Sequence, residues 1–408
     1  MRPRQRPLGC QPPLDFRIRA RLALPVLGGL LLGGLVALAG PARAAKPPIV
    51  IGTTISETGP LATDAMYEIK GIKLGIAEAN AHGGWLGRKI VLKYYDDKSS
   101  PGAAVRLYQR LITLDKVNLL IGPYSSLVTV AIAPLINKYQ MATLEPGASV
   151  PSIYVPGNKW NLMNTADSTT YLHQLMPLAK QHGAKTVALL GLESAYSLAC
   201  YHARVAQAKE LGMNVVYKTT YTLQTDFSSI ALAIKNAKPA VVLECGYYPD
   251  SVNLVRSLHE QGFAPQFLGE TVGPVEGAYV KALGPLANRV FGNSGWWFNF
   301  KTPGNPAFIS AYEKTFHQKP DYHAAAGFTA IQVLGAAVEG TKSVNQEKIR
   351  HWIVTHKVES IQGPIQDNAN GRTVGAVQDM VQVQNGVLKL VAPASLAQAP
   401  VQIPYTGH

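Results

Sequence analysis

Short apolar segments alternate with amphipathic segments from Pro48 onward, and this alternation is the feature that most constrains the fold. Apolar runs at 49–55, 89–96, 117–122 and 141–146 have the length and the Val/Ile/Leu content of buried strands. Residues between these runs repeat apolar positions three and four apart, as helices do. Buried strands separated by helices are parallel strands with crossover connections. The sequence therefore predicts a doubly wound α/β sheet.

A second cycle of the same kind begins after residue 165 and predicts a second α/β unit. Its predicted strands lie at 186–192, 214–221, 240–246 and 265–270, and its predicted helices at 168–182, 196–211, 226–237 and 249–262. Helical patterns dominate 304–357, and Asn385 with Gly386 has the composition of a two-residue β-hairpin turn. A chain of 408 residues is long enough for two such domains. The Pro/Ala-rich end, 393–408, is predicted to be a flexible tail.

The first 45 residues have the layout of a secretory signal. Arginines precede an apolar core from Leu22 to Ala39, and a small-residue cleavage site ends at Ala44. An uncleaved membrane anchor is the alternative, because these 18 mostly apolar residues approach the length of about 20 that spans a bilayer. We expect cleavage after Ala44 or Ala45 and export of the mature chain.

The strongly basic composition is concentrated in this signal segment. The whole chain has a formal charge of +13, but residues 1–44 contain seven arginines and one aspartate. The remainder has 31 basic and 24 acidic residues, a formal charge of +7. Its basic residues are scattered, with no run that could follow a phosphate backbone, so we expect no binding to nucleic acid.

The sequence after the signal lacks the motifs of common catalytic and cofactor sites. It contains no GxxxxGK[ST] or GxGxxG phosphate-binding motif, no GxSxG, no HExxH and no CxxC. The ten histidines are dispersed, and the pair Asp96 and Asp97 is better explained by capping of a turn than by a metal or an acid–base site. We therefore expect a binding protein rather than an enzyme, with no cofactor and no metal.

Two cysteines, Cys200 and Cys245, remain after the signal. An oxidising compartment would permit a disulfide between them. Cys200 lies in a helical pattern and Cys245 ends a strand pattern, and no spacing motif pairs them. Two buried free thiols are the favoured state, with the disulfide as the alternative.

The segment LLIGPYSSLVTVAIAPLI places Ser125 and Ser126 between the third predicted strand and its helix. Backbone N–H groups at a helix N-terminus and the helix dipole both attract anions. Ligands of doubly wound sheets bind beyond the carboxyl ends of the strands. The two serines are therefore candidates for binding a small carboxylate, and simple capping of their own helix is the alternative.

Several further motifs follow one another along the chain. They are TGPLA (58–62), GIAEANAHGGWLGRKIVLKYYDD (75–97), IGPYSS (121–126), EPGAS (145–149), AYSLA (195–199), GYYPD (246–250), FLGE (267–270) and GPIQDNANG (363–371). Together they make residues 48–392 similar to the leucine/isoleucine/valine-binding protein family, the extracytoplasmic receptors of amino-acid ABC importers. The resemblance implies a type I periplasmic binding protein fold, in which two doubly wound α/β lobes joined by three crossovers enclose a central ligand cleft. It also implies a periplasmic monomer that captures a small ligand and delivers it to membrane permease subunits.

The resemblance also divides the chain into regions. The predicted regions are the signal peptide at 1–45, an N-terminal lobe at 46–165 plus 295–357, a C-terminal lobe at 166–294 plus 358–392, and the tail at 393–408. Crossovers are expected near residues 165, 295 and 358. Trp296 and Trp297 are expected to pack at this hinge rather than line the pocket.

Ligand contacts from both lobes are implied when the family's positions are carried over residue by residue. The serine at the helix start falls on Ser126, and two contacts after the next strand fall on Gly147 and Ser149. The aromatic contacts of the second lobe fall on Tyr196 and Tyr247.

The chain departs from the family at the position of the acidic partner for the ligand's ammonium group. That position falls on Thr271, with an acid, Glu270, one residue earlier. Asp64 replaces an aromatic residue near the cleft mouth, and another aromatic position falls on or near His323. Either Glu270 or Asp64 binds the ligand's ammonium group in place of that acid, or the ligand has no ammonium group. The first reading predicts an amino acid; the second predicts an amide, urea or an aromatic or aliphatic carboxylate. A sensor partner that presents its ligand is a further alternative to transport.

Overall fold

The structure is a computed structural model that describes residues 46–407, so the predicted signal segment and its cleavage site lie outside the described residues. Within 46–407, no helix is both long and apolar enough to cross a membrane.

The first α/β unit is built on a five-stranded sheet. Its strands are β1 (Ile49–Ile55), β2 (Ile90–Asp96), β3 (Leu119–Ile121), β4 (Thr143–Glu145) and β5 (Asn161–Met163), and its first three helices are α1 (Ala62–Ala81), α2 (Pro101–Thr113) and α3 (Ser126–Tyr139). The strand order is β2-β1-β3-β4-β5, and every pair is parallel. The predicted doubly wound sheet is confirmed.

The second unit is built on a seven-stranded mixed sheet. Its strands are β6 (Thr186–Leu192), β7 (Asn214–Tyr221), β8 (Val241–Cys245), β9 (Phe267–Glu270), β10 (Phe291–Ser294), β13 (Asp379–Gln384) and β14 (Val387–Ala392). Between β10 and β13 in sequence, β11 (Val358–Ser360) and β12 (Gly363–Ile365) form a separate two-stranded sheet. The order is β14-β13-β10-β9-β8-β6-β7, with β13 and β14 antiparallel as the predicted hairpin. Its helices are α4 (Leu175–Gln181), α5 (Ala195–Glu210), α6 (Ser228–Ala237), α7 (Tyr248–Glu260) and α8 (Gly277–Leu283).

Three helices that follow β10 and precede β11 in sequence complete the fold: α9 (Asn305–Phe316), α10 (Tyr322–Thr341) and α11 (Gln346–Thr355). Helix α10 packs against α1 of the first unit. A side chain at Gly71 would meet the Ala324 carbonyl, and one at Gly327 would meet the Glu68 carbonyl, so these glycines permit the close approach of the two helices. The approach brings the N-terminus of α10 beside the first turns of α1.

Some predicted elements differ from the structure. The helix predicted at 168–182 is confined to α4, because the Asp167 carboxylate accepts the Thr169 N–H at 2.8 Å and holds a separate short turn. Strands β5 and β10 and helix α8 were not predicted. The turn-capping role of Asp96 and Asp97 is confirmed, since they accept the N–H groups of Lys98 and Ser99.

Cys200 and Cys245 form a disulfide, so the expectation of two free thiols is wrong. Cys200 lies in α5, which follows β6, and Cys245 ends β8, the neighbour of β6 in the sheet. Because α5 packs on β8 as well as on β6, the two Cα atoms lie 6.1 Å apart despite a sequence separation of 45.

The predicted flexible tail is also wrong, because residues 393–407 pack on the second unit. The backbone of Gln402 exchanges two hydrogen bonds with the side chain of Gln382, at 2.7 and 2.9 Å. The N–H of Tyr405 donates to the Gln266 carbonyl at 3.0 Å, and its side chain is buried.

Trp296 and Trp297 are buried near the end of β10, where the chain leaves the second sheet. Their indole N–H groups donate to Asn305 and to Gln398 of the tail, both at 2.6 Å. The exact lobe boundaries and crossover positions stay predictions.

Candidate functional site

A narrow cleft lies where the carboxyl ends of strands from the two sheets face each other. Six of the nine predicted site residues line it, namely Ser125, Ser126, Gly147, Ser149, Tyr196 and Tyr247. Its other walls come mainly from Tyr124, Tyr171, Tyr322 and His323. The cavity has a volume of about 20 Å³, which is room for about one water molecule. A solute therefore requires movement of the cleft walls to enter.

The start of α3 supplies unpaired backbone donors to this cleft. Ser125 is the N-cap residue, yet its hydroxyl makes no capping bond and lies instead 2.7 Å from the Tyr247 hydroxyl. The Ser126 hydroxyl accepts the Ser149 N–H at 3.0 Å. Among the described residues, no protein acceptor receives the N–H groups of Ser126 and Leu127. The capping alternative therefore does not describe these serines, and the helix start has the donors of an anion site.

Gly147 lies in the turn after β4, where a side chain would not fit. A Cβ atom there would lie 2.5 Å from a carboxylate oxygen of Glu68 and 2.9 Å from the Tyr124 ring. Burial raises the pKa of Glu68 to about 8 and holds that of Glu145 well above its usual range. Both acids beneath this turn are therefore largely neutral at pH 7 and do not repel an anion in the cleft.

Tyrosine rings form most of the apolar surface of the cleft. The ring centroid of Tyr196 lies 5.3 Å from the ring centroid of Tyr247 and 5.5 Å from that of Tyr171. Tyr124 contacts Tyr247 edge-on at 6.2 Å. Burial raises the pKa of Tyr171 to about 12 and raises the pKa values of Tyr124, Tyr196 and Tyr247 further. The four hydroxyls therefore stay neutral and can donate or accept hydrogen bonds.

Thr271 and Glu270 do not line the cleft. The Thr271 hydroxyl donates to the Gly246 carbonyl at 2.9 Å and accepts the Gly246 N–H at 3.1 Å, which fixes the turn before Tyr247. Glu270 accepts a 2.5 Å hydrogen bond from the Tyr279 hydroxyl. It also lies opposite Glu244 in the β8–β9 register, inside the second unit. The expected contact between Glu270 and a ligand ammonium is therefore absent from this arrangement.

Asp64 is also outside the cleft, fully buried in the first turn of α1. Its carboxylate lies near Tyr124 and Glu276, although neither makes a hydrogen bond of normal geometry with it. Burial raises the pKa of Asp64 to about 7, and the charge of His323 opposes that rise.

His323 lies between the cleft and a group of acids at the start of α10. Burial lowers the pKa of His323, but the carboxylates of Asp321 and Glu276 outweigh burial and hold it well above its usual range. Its Nδ1 atom lies 3.0 Å from Glu276 and 3.1 Å from Asp321. The ring also contacts Tyr124 edge-on at 5.0 Å.

A larger cavity, of about 750 Å³, lies on the other side of these acids. Tyr67, Trp296, Trp297 and Phe298 supply much of its apolar wall, and Glu276 and Asp321 are among its polar residues. Tyr322 belongs to the walls of both cavities. We assign the ligand site to the smaller cleft because Ser125 and Ser126, at the start of α3, line it.

Sequence reasoning missed several of these residues for different reasons. Tyr124 lies within the quoted IGPYSS motif, so its position next to the serines was a usable signal. Asp321 was detectable as an N-cap, because its carboxylate accepts the Ala324 N–H. Glu276 had no signal, since α8, which it precedes, was not predicted.

Comparison with known proteins identifies the family of this fold. Residues 48–386 match the family model described as periplasmic binding protein. The chain belongs to this family. It is similar to the Leu/Ile/Val-binding protein homolog 7 of Brucella melitensis, with 26% identity over 405 residues that cover 92% of this chain and 98% of the relative.

Two solved structures of transporter binding proteins share the fold. One is a branched-chain amino acid transporter substrate-binding protein of Streptococcus pneumoniae in complex with isoleucine, with a TM-score of 0.77 and 22% identity over 88% of this chain and all of the other. The second is an ABC transporter solute-binding protein of R. palustris in complex with benzoate, with a TM-score of 0.77 and 19% identity over 87% of this chain and 99% of the other.

The family gives a general class of function. The chain belongs to the periplasmic binding protein family, which is a solute-binding rather than an enzymatic family. The family also implies a location outside the cytoplasm.

Proposed function

We propose that the protein captures a small carboxylate solute between its two lobes and delivers it to the permease subunits of an ABC importer. The observation that carries the proposal is the helix start beside a tyrosine-lined cleft: the N–H groups of Ser126, which lines the cleft, and of the adjacent Leu127 have no acceptor among the described residues. Each hydrogen bond to a charged group contributes about 1.5–3 kcal/mol, and the helix dipole contributes up to about 2 kcal/mol. Three or four such contacts give about micromolar affinity, near −8 kcal/mol.

An α-amino acid is one candidate solute, supported by the isoleucine complex of the similar S. pneumoniae protein. The same serines and backbone donors would hold its carboxylate, and the tyrosine rings would contact its side chain. Its ammonium group would need an acceptor from the Gly147 turn or from a hydroxyl.

An aromatic or aliphatic carboxylate without an ammonium group is the second candidate. None of the described residues that line the cleft is an aspartate or a glutamate, and Glu270 is engaged by Tyr279 elsewhere. Flat rings stack well on tyrosine faces. The benzoate complex of the similar R. palustris protein supports this candidate. Amides and urea, which offer a carbonyl oxygen to the same donors, belong in the same test.

A thermal-shift panel tests the proposal and separates the candidates. Residues 46–408 are stripped of co-purified solute by partial unfolding and refolding, and then melted with amino acids, aromatic and aliphatic acids, amides or urea at about 1 mM. A solute of micromolar affinity stabilises the native state by about 4 kcal/mol, which raises the melting temperature by roughly 8–16 °C. A shift with acids that lack an ammonium favours the second candidate, and a shift confined to α-amino acids favours the first. No shift with any compound contradicts the proposal.

Two serine variants show whether the shift arises at the cleft. Ser126→Ala removes a hydroxyl from the cleft and should reduce the shift. Ser228→Ala is the matched control, because Ser228 also begins a helix but its hydroxyl bonds to the exposed Asp226. An equal shift in both variants would place the solute elsewhere.

Export and delivery are further parts of the proposal. Mass spectrometry of the exported protein should find an N-terminus at Ala45 or Lys46, and size-exclusion chromatography should find a monomer. Genes for a permease and an ATPase beside this gene would support transport, whereas an adjacent membrane sensor gene would favour the alternative role in signalling.

A further inference from the structure

Three buried side chains at the edge of the cleft bring metal-ligand atoms together, and one of them, His323, also lines the cleft. Glu276, Asp321 and His323 each offer one such atom, and these atoms lie within 4.8 Å of one another. The Nδ1 atom of His323 lies 3.0 Å from Oε1 of Glu276 and 3.1 Å from Oδ2 of Asp321. All three residues are buried.

One proton on His323 does not satisfy the carboxylates around it. A single Nδ1–H faces two carboxylate oxygens, and among the described residues no donor of normal geometry reaches either oxygen of Glu276. Asp64 adds a third carboxyl group, fully buried, whose two oxygens likewise have no hydrogen-bond partner among the described residues. Buried carboxylates without partners are costly unless they are protonated or a positive charge compensates them, and a bound cation would supply that charge.

We propose that Glu276, Asp321 and His323 bind a divalent transition-metal ion, with Zn²⁺ as the preferred ion and Asp64 as the adjacent carboxylate. One imidazole nitrogen with carboxylate oxygens is a donor set suited to Zn²⁺, whereas Ca²⁺ and Mg²⁺ prefer oxygen donors alone. Glu276 and Asp321 line the cavity of about 750 Å³, which provides a path for the ion and space for a water ligand.

The position of this site would connect the two lobes. Glu276 directly precedes α8, which packs on α7 of the second unit. Asp321 and His323 lie at the start of α10, which packs on α1 of the first unit. The ion therefore holds the closed arrangement, and ion binding and solute binding strengthen each other by the same factor. Ion binding itself is measured without a solute, so its outcome is independent of the proposed transport function.

Direct titration of the exported protein tests the site. The protein is dialysed against EDTA and then against metal-free buffer, and ZnCl2 is added in an isothermal titration calorimeter. We expect one ion per chain with a dissociation constant in the micromolar range or below. Zinc-edge X-ray absorption should show one imidazole nitrogen in an otherwise oxygen shell, at about 2.0–2.2 Å. This measurement needs no variant and remains valid if a variant fails to fold.

Matched variants locate the ion. Glu276→Gln and His323→Gln should each weaken Zn²⁺ binding at least 10-fold, whereas His351→Gln, on the exposed face of α11, should leave it unchanged. Circular dichroism checks that each variant is folded. Equal binding by all variants would show an adventitious surface ion and overturn the proposal. Absence of binding at 100 µM Zn²⁺ would also overturn it and leave His323 as an imidazolium between two acids.

Discussion

The hydroxyl of Ser125 lies 2.7 Å from the hydroxyl of Tyr247, and both side chains are buried. Ser125 follows β3 of the first sheet, and Tyr247 follows β8 of the second sheet. Their hydrogen bond therefore joins the two units across the cleft. It can form only when the walls of the cleft are together, so its free energy contributes to closure.

Tyr247→Phe should weaken solute binding about 5–10-fold, because it removes this bond from the closed form and leaves the Ser125 hydroxyl without its partner. A lost hydrogen bond of this kind costs about 0.5–1.5 kcal/mol. Calorimetric titration with a carboxylate that shifts the melting temperature measures the change. Tyr217→Phe, on β7 and away from the cleft, is the control. Unchanged affinity in Tyr247→Phe would show that the bond does not assist closure.

Gly147→Ala should lower solute affinity at least 10-fold and the free energy of unfolding by about 1–3 kcal/mol. The added methyl group would press on Glu68 and Tyr124, so the turn beside the helix start must move. Gly157→Ala is the matched control, because a Cβ atom there has no neighbour within 4 Å. Urea unfolding and calorimetry give the two quantities, and equal behaviour of the two variants would contradict this account of the turn.

Replacement of both Cys200 and Cys245 by alanine should lower the free energy of unfolding by about 2–4 kcal/mol. The disulfide closes a loop with a sequence separation of 45, which limits the conformations of the unfolded chain. Urea unfolding measures the difference. Dithiothreitol should destabilise the natural protein and leave the double variant unaffected. Insensitivity of both proteins to the reductant would rule out the bond in solution.

The free energy of unfolding should fall as the pH rises from about 5 to 8. Burial raises the pKa of Glu244 from 4.5 to about 8, and Asp250 adds to the rise. Between these values the unfolded chain has released the proton and the native chain retains it, so rising pH favours unfolding. One such group contributes at most about 1.4 kcal/mol per pH unit. Glu244→Gln should flatten the profile from urea unfolding, whereas Glu260→Gln, on the surface, should not. A stability that rises over this interval would contradict the assignment.

The sheets were predictable from the sequence because central strands such as β1, β6 and β8 are buried on both faces. Apolar runs such as 186–192 and 240–246 lie between amphipathic helices, and the order of these elements determines parallel pairing. The short strands β5 (NLM) and β10 (FGNS) contain polar or glycine residues and do not stand out as apolar runs. The disulfide was missed because its pairing depends on the packing of α5 over β8, which no local spacing records.

The part of the cleft formed by the backbone at the start of α3 was predictable from the sequence. A strand end followed by Gly122 and two serines indicates free N–H groups, and the structure places both serines in the cleft. Side-chain orientation at strand ends was less predictable. Glu270 faces inward beside Glu244, and Thr271 binds the backbone of Gly246, because the register of β8 and β9 determines both positions.

The Pro/Ala-rich end of the chain has a consequence for gene design. Because its composition is typical of a flexible tail, a designer would be inclined to truncate the chain after Ala392, where the hairpin ends. The amide of Gln382, buried beneath it, would then lose both bonds to Gln402, and Gln384 would lose its bond to the Pro400 carbonyl. Shortening the gene by these sixteen codons would thus produce a less stable protein, because buried amides would be left without partners.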